Sequence, residues 1–166
     1  EYDMEKQKRI YLAQAGIIAA VYLALTLLFY PLSFGLSQFR VSEGLCILPY
    51  FTPAAVPGLF IGCMIANLFG GLGLLDILCG SLATLLSAAA TCKIKNRYLA
   101  PLPAVLFNGA IVGWELSYLM GLPFWQTALG VLAGQAVSCY GVGIPLLLAL
   151  EKIARKQERF ALFRRK

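Results

Sequence analysis

Apolar residues dominate the chain between Ile10 and Leu150, and polar residues interrupt them only in short clusters. A helix needs about 20 mostly apolar residues to cross a bilayer. Prolines, glycine runs and one charged loop divide this region into six such stretches. The pattern therefore predicts an all-α, polytopic membrane domain of six transmembrane helices over residues 10–150, flanked by the polar segments 1–9 and 151–166.

The predicted spans differ in length and regularity. They cover residues 10–30, a short stretch beginning at 41, and then 54–69, 74–92, 103–120 and 125–150. The second span is short because Pro49 and Pro53 flank its end. The sixth is expected to be kinked or loosened near Gly141, Gly143 and Pro145, since such residues weaken or break helical hydrogen bonding.

Composition excludes most soluble functions. Hydrophobic residues make up 60% of the 166 residues and charged ones 13%, so a soluble fold would lack the polar residues to cover its surface. A soluble enzyme, a disordered linker and a cytosolic nucleic-acid binder are therefore excluded. The chain has no histidine, and its five cysteines form no C-x-x-C pair. No metal, cofactor or membrane-enzyme chemistry is expected, because no ligand cluster or nucleophile–base pair is visible.

The net charge of +6 is distributed in a way that orients the chain in a membrane. Thirteen of the 14 Lys and Arg residues lie in the two termini and in the loop 93–97, and six spans place all of them on one side. Only Arg40 falls on the other side. The positive-inside rule then predicts that both termini lie in the cytoplasm, and it favours the membrane surface over nucleic acid as the partner of the basic residues.

Three carboxylates fall within the predicted spans, where ionisable groups are costly and suggest a site or a buried pair. Glu43, Asp76 and Glu115 all lie in the outer half of the bundle, whereas the inner half has almost no charge. This distribution predicts an outward-facing pocket above an apolar floor, not a channel. Two structural alternatives stay open: Arg40 pairs with Glu43 on one helix face, and Asp76 caps its own helix.

The residue types around these carboxylates indicate a class of ligand. Carboxylates accept two parallel N–H donors or a cationic amine, and Trp and Tyr rings stack on flat rings. A small, flat, donor-rich or cationic molecule with a guanine-like edge fits both properties. The candidate binding residues are Gln38, Arg40, Glu43, Asn67, Asp76, Asn108, Trp114, Glu115 and Tyr118. Because no phosphate-binding G-x-x-x-x-G-K-[ST] motif is present, the pocket is either a passive binder or depends on a partner for energy.

Small residues are spaced for close helix packing in several spans. The three G-x-x-x-G pairs are expected to pack within the bundle, and they are Gly58/Gly62, Gly109/Gly113 and Gly130/Gly134. The first span has two stripes, Ala15/Ala19 and Gly16/Ala20/Ala24. By sequence, each stripe is equally compatible with packing against a neighbouring helix of this chain or against another protein.

Several longer motifs carry a family resemblance. They are residues 38–43 (QFRVSE), 48–59 (LPYFTPAAVPGL), 65–71 (IANLFGG), 75–77 (LDI), 80–85 (GSLATL), 100–103 (APLP) and Asn108. With them, the chain resembles the QueT family over residues 9–150. The resemblance implies a six-helix substrate-binding (S) component of an energy-coupling-factor (ECF) importer of the ABC class. The implied substrates are queuosine precursors, namely queuine or related 7-deazaguanines.

The resemblance also implies partners in the bacterial cytoplasmic membrane. S components dock through an A-x-x-x-A pattern on the first helix onto a transmembrane coupling (T) subunit, which connects to two ABC ATPases. Here Ala15 and Ala19 match that pattern, although Ala20 and Ala24 leave the register open. ATP hydrolysis is then expected in the partners, and the chain itself is not expected to be an enzyme.

For such a binding component, each candidate residue has an expected role. Glu43, Asp76 and Glu115 would take the guanine-like N–H edge or the amine. The remaining roles are orientation of Glu43 by Arg40, an amide contact from Asn67, and stacking by Trp114 or Tyr118.

Three other functions remain open at this point. The first is an S component for another vitamin or purine, since one fold accommodates different ligands. The second is a small stand-alone secondary transporter driven by an ion gradient, although no inverted repeat stands out. The third is an assembly protein without a ligand, which would tolerate changes at all three carboxylates.

Overall fold

The computed structural model of the protein describes residues 2–34 and 39–156. These residues form seven α-helices and one 3₁₀ helix, and they contain no β-strand. The elements in chain order are α1 (Tyr2–Leu28), α2 (Tyr30–Ser33), the 3₁₀ helix (Val41–Tyr50), α3 (Ala55–Gly70), α4 (Leu74–Thr91), α5 (Leu102–Met120), α6 (Phe124–Gly141) and α7 (Gly143–Lys156). The all-helical class is confirmed, but the described residues form seven α-helices instead of the predicted six.

The second predicted span is a 3₁₀ helix at the centre of the bundle. Runs of 3₁₀ helix longer than three or four residues are uncommon because their hydrogen bonds have poorer geometry. Here all residues from Ser42 to Pro49 are buried, and the segment contacts α1, α3, α4, α6 and α7. A 3₁₀ helix rises about 2.0 Å per residue, so this short segment reaches further along the bundle than an α-helix of equal length.

Hydrogen bonds between elements define the two ends of the bundle. At one end, Arg40 donates from Nη1 to Oδ1 of Asn67, near the end of α3, over 2.9 Å. At the other end, the hydroxyl of Tyr50 donates to the carbonyl of Lys95 over 3.4 Å. Arg97, in the same loop as Lys95, pairs with α7. We call these the Arg40 end and the basic end, and the 3₁₀ helix runs from the first toward the second.

The sixth predicted span is broken into α6 and α7, as the sequence predicts near Gly141–Pro145. Val142 separates the two helices, and its N–H donates to the carbonyl of Ser138 over 3.0 Å. The break lies against the 3₁₀ helix, where a Cβ on Gly143 would stand 3.1 Å from the carbonyl oxygen of Gly44. Two glycines therefore permit the close approach of these two backbones.

Four helical segments are long and apolar enough to cross a membrane. They are Asp3–Leu28, Leu74–Thr91, Leu102–Met120 and Phe124–Arg155. The apolar α3 is shorter, with 16 residues. The described residues therefore contain four segments of spanning length instead of the six that the sequence predicts. The other two predicted spans correspond to α3 and the 3₁₀ helix, which are shorter. These helices are those of a multi-pass membrane protein.

The G-x-x-x-G pair Gly58/Gly62 packs α3 directly onto α1. A Cβ on Gly58 would stand 2.8 Å from the carbonyl oxygen of Ala15, and one on Gly62 would stand 2.9 Å from that of Ala19. On the opposite side of the bundle, Gly109 and Gly113 likewise lie against α6. The predicted internal role is confirmed for these two pairs, since glycine alone leaves room for the neighbouring helix.

We expect Gly62→Ala to destabilise the fold. The added methyl group would meet backbone atoms of Ala19, which cannot rotate away as a side chain does, and overpacking of this kind costs about 1–3 kcal/mol. Thermal unfolding in detergent should show a lower melting temperature than the parent. Gly141→Ala is the control, because nothing lies within 4 Å of a Cβ at Gly141. Equal melting temperatures for both variants would contradict the α1–α3 packing.

Candidate functional site

Five polar side chains lie together inside the Arg40 end of the bundle, and we call them the buried polar cluster. Arg40 and Glu43 lie at the start of the 3₁₀ helix, Asn67 in α3, Asp76 in the first turn of α4, and Glu115 in α5. Each is at most 3% exposed. Electrostatic interactions connect Arg40 with Glu43 and Asp76, and Asp76 with Glu115. Four elements therefore contribute to one site.

Arg40 is held by four neighbours. Its Nε donates to the carbonyl of Ser33 over 3.1 Å, and its Nη1 donates to Oδ1 of Asn67 over 2.9 Å. Its Nη2 stands 3.9 Å from Oδ1 of Asp76, and the guanidinium lies 5.1 Å from the centre of the Phe34 ring. A buried guanidinium with fixed hydrogen bonds is a rigid positive charge.

Asn67 connects α3 to the start of α4. Its side-chain amide accepts from Arg40 and donates from Nδ2 to the carbonyl of Asp76 over 3.1 Å. A Cβ on residue 80 would stand too close to this Nδ2, so the glycine at position 80 leaves space for the amide. Asn67 therefore positions both Arg40 and the first turn of α4.

Asp76 and Glu115 are the unusual members of the cluster. Both are 0% exposed. Their carboxyl groups lie within hydrogen-bonding reach of each other, and no other described residue donates a hydrogen bond to any of their four oxygens. A buried polar atom without a partner costs about 1–3 kcal/mol, and a charged one costs more. The capping alternative for Asp76 is wrong, because its side chain makes no hydrogen bond to the helix backbone. These oxygens are acceptors available to N–H donors.

Glu43 is paired with a residue that the sequence analysis missed. The hydroxyl of Tyr22 in α1 donates to Oε1 of Glu43 over 2.5 Å. One turn further along α1, Thr26 donates to the hydroxyl of Ser42 over 2.7 Å. Tyr22, not Arg40, therefore makes the hydrogen bond that orients Glu43. The i, i+4 spacing of Tyr22 and Thr26 in an otherwise apolar helix was the signal for this polar face.

The structure does not bring Trp114 and Tyr118 to the cluster. They are 52% and 71% exposed, and their rings stack on each other with centroids 6.0 Å apart. Adjacent residues on a helix point about 100° apart, so Trp114 faces outward while Glu115 faces inward. Their position near the end of α5 suits the aromatic belt at a membrane interface.

Two further candidates lie apart from the cluster. Asn108 is buried two turns from Glu115 on α5, and its Nδ2 donates to the carbonyl of Ala104 over 2.9 Å. This bond lies within its own helix, and Asn108 makes no described hydrogen bond to the cluster. Gln38 lies outside the described residues.

The two small-residue stripes of α1 have different surroundings. Ala15 and Ala19, the candidate docking pair, lie against the glycines of α3, so an internal contact occupies them. The stripe of Gly16, Ala20 and Ala24 is exposed. Nothing lies within 4 Å of a Cβ placed on Gly16. The stripe open to another protein is therefore one residue out of register with the predicted pair.

The chemistry available at the cluster is acceptance of hydrogen bonds and of positive charge. Three carboxyl groups surround one guanidinium, and two of them have unused oxygens. No group of three or more His, Cys, Asp or Glu in the described ranges is arranged to hold a metal ion. A ligand that donates two or more N–H groups would satisfy the unused oxygens without help from water.

Comparison with known proteins gives one family and one curated relative. The model of the QueT transporter family matches residues 12–152. A protein of Lactococcus lactis subsp. cremoris (strain MG1363), named "Queuosine precursor transporter QueT", is 36% identical over 97 residues. The match covers 57% of this chain and 57% of that relative. No solved structure matches.

We expect Arg40→Gln to destabilise the bundle and Asp76→Asn to restore part of the loss. Removal of one partner from a buried ion pair typically costs about 3–5 kcal/mol, because the other charge is left alone. In a double-mutant cycle, the two changes should therefore be coupled by about 0.5–3 kcal/mol. Thermal unfolding of the parent, both single variants and the double variant in detergent measures this coupling.

Arg97→Gln is the control for this cycle, because Arg97 is more than a third exposed in its ion pair with Glu151. Loss of an exposed pair has little effect on stability. Purely additive effects of Arg40→Gln and Asp76→Asn would mean that the two side chains do not stabilise each other.

Proposed function

This chain belongs to the QueT transporter family, and from that premise we propose that it is the substrate-binding S component of an ECF importer for queuosine precursors. The family supports a transport role, as do the helices of membrane-spanning length. The Lactococcus relative is named for a queuosine precursor, and the proposal extends this substrate class to the present chain. The ligand is queuine or a related 7-deazaguanine.

The buried carboxyl groups of Asp76 and Glu115, which accept no hydrogen bond from any other described residue, carry the proposal. A guanine-like edge has a ring N–H beside an exocyclic amino group, so it presents two parallel donors to one carboxylate. The other carboxylate is then available to the amine that queuine bears. Buried oxygens that accept no hydrogen bond from the other described side chains gain N–H donors in the complex, and this difference favours binding.

The remaining cluster residues position these two carboxylates. Asn67 bonds to the backbone of Asp76, and Arg40 holds Asn67 while its charge lies beside Asp76. Glu43, fixed by Tyr22, contributes a third negative charge at the edge of the site. In the complex we assign Asp76 and Glu115 to direct contact, and Arg40 and Asn67 to positioning.

The proposed orientation places the cluster near the outer face of the membrane. Among the described cations, Lys93, Lys95 and Arg97 lie in the loop 92–101, and Lys152 and Arg155 lie on the last turns of α7. The positive-inside rule assigns this basic end, and with it both termini, to the cytoplasm. Glu115 is five residues from the end of α5, which is about 8 Å at 1.5 Å per residue. The substrate would therefore reach the cluster from outside.

The proposal includes docking on a transmembrane coupling subunit that is connected to two ABC ATPases. The face of α1 that bears Gly16, Ala20 and Ala24 is exposed and nearly smooth. In a membrane, helices associate best where small residues let their backbones approach. We therefore assign docking to this stripe instead of Ala15 and Ala19.

Titration of the purified protein with queuine tests the site. We expect Glu115→Gln and Asp76→Asn each to weaken binding by about 10- to 100-fold, since a hydrogen bond to a charged group contributes about 1.5–3 kcal/mol. Trp114→Ala is the control and should bind like the parent, because Trp114 faces away from the cluster. If both carboxylate variants bind like the parent, the site assignment is wrong. Competition by guanine, thiamine and riboflavin distinguishes this substrate class from other S-component ligands.

Co-purification from membranes tests the docking stripe. We expect Ala20→Leu to abolish recovery of the coupling subunit and the ATPases while queuine binding persists, because the larger side chain separates the helices. Ala89→Leu makes the same change at an exposed position on α4 and should leave recovery unchanged. Normal recovery with Ala20→Leu would reject this stripe, and uptake that persists without any ATPase would favour a stand-alone transporter.

A further inference from the structure

A pocket lies at the basic end, opposite the buried polar cluster. It has a volume of about 220 Å³ and is lined by Arg97, Leu148, Glu151, Lys152 and Arg155. Arg97 belongs to the loop between α4 and α5, and the other four residues belong to α7. The pocket is therefore formed where a surface loop meets the last turns of a membrane helix.

The pocket has more positive than negative charge. Glu151 is its one acidic residue, and its Oε2 stands 3.1 Å from Nη1 of Arg97. Arg97 also donates to the hydroxyl of Tyr98 over 3.2 Å, and its hydrogen bond to Glu151 raises the pKa of the guanidinium. Lys152 and Arg155 are exposed and form no ion pair with the described residues. Two positive charges therefore remain for a ligand.

These two cations are on one face of α7. Lys152 and Arg155 are three residues apart, a spacing at which side chains are neighbours and like charges repel. An anion between them would relieve that repulsion. Arg97 is fixed by Glu151 and Tyr98, and Glu151 balances its charge, so the two positive charges that attract an anion are those of Lys152 and Arg155.

The floor of the pocket is apolar. Leu148 is 41% exposed and lies four residues before Lys152, which places it about 6 Å nearer the middle of the helix. Tyr98 and Leu99, next to Arg97 in the loop, are also exposed. A tyrosine beside exposed apolar side chains is typical of the membrane–water interface. The pocket thus combines cations at headgroup level with an apolar surface at acyl-chain level.

We propose that this pocket binds an anionic phospholipid, with its phosphate between Lys152 and Arg155 and an acyl chain along Leu148. Basic pockets at the ends of transmembrane helices suit such headgroups. A free phosphate or a soluble phosphate ester has the same anionic chemistry, but it has no acyl chain to contact the exposed Leu148. The site would retain one lipid at the junction of the loop 92–101 and α7, whether or not a substrate occupies the other end.

Native mass spectrometry of the delipidated full chain in detergent tests this proposal. Phosphatidylglycerol and phosphatidylcholine with identical acyl chains are added in parallel. We expect phosphatidylglycerol to bind at least about tenfold more tightly, because each Lys or Arg near the surface favours an anionic lipid by about fivefold. The Lys152→Gln/Arg155→Gln double variant should lose this preference. Lys93→Gln/Lys95→Gln removes the same charge from the same end, outside the pocket, and should keep it.

Two further arms distinguish a lipid from a free anion. Leu148→Ser should weaken binding of phosphatidylglycerol and leave binding of sn-glycerol 3-phosphate unchanged, and inorganic phosphate should displace the lipid only at large excess. The proposal is overturned if the parent has no preference, if both double variants lose it equally, or if inorganic phosphate at equal concentration displaces the lipid. Melting temperatures identify any variant that fails to fold, and for such a variant the Gln substitutions are replaced by Met.

Discussion

Burial of the Arg40 guanidinium is the constraint on which the Arg40 end of the bundle depends. A buried charge is costly unless it is paired and hydrogen-bonded, and Arg40 obtains its partners from α2, α3 and α4. Those elements must therefore meet at one point. The contact of these elements with Arg40 fixes the position of Asn67. Asn67 in turn holds the first turn of α4, which places Asp76 beside Glu115. Nη2 of Arg40 stands 3.9 Å from Oδ1 of Asp76 and makes no hydrogen bond, so the two charges lie side by side while the carboxylate oxygens accept no hydrogen bond from Arg40.

The 3₁₀ helix places Arg40 and Glu43 in the interior of the bundle. A single α-helical turn rises 5.4 Å, whereas the tighter 3₁₀ segment extends further for the same number of residues. It is narrow, and Gly44 lets the break at Val142–Gly143 approach its backbone. Burial on nearly every side compensates for its weaker hydrogen bonds. The same packing leaves it little freedom to move independently of α6 and α7.

The sequence predicted the fold class and the acidic residues better than it predicted helix faces. Carboxylates are rare inside apolar spans, so Asp76 and Glu115 were identifiable without a structure. Tyr22 was missed because tyrosine is common in membrane helices, and only its partner reveals its role. Trp114 was assigned by nearness in sequence to Glu115, but adjacent residues on a helix face different directions. The choice between the stripes of Ala15 and Gly16 required the position of α3, which no local pattern specifies.

The two ends of the protein carry opposite charge imbalances, and access to solvent determines which molecules can balance each of them. At the basic end, Lys152 and Arg155 are exposed, so water, salt ions and anionic lipid headgroups can all balance them. At the Arg40 end, Asp76 and Glu115 are buried, and Arg40 is the cation that lies beside them. In the proposed complex, N–H donors of the ligand satisfy the carboxyl oxygens that Arg40 does not. We therefore infer that the exposed charge at the basic end favours anionic lipid headgroups as a class, whereas the buried charge at the Arg40 end favours one ligand with matching hydrogen-bond donors.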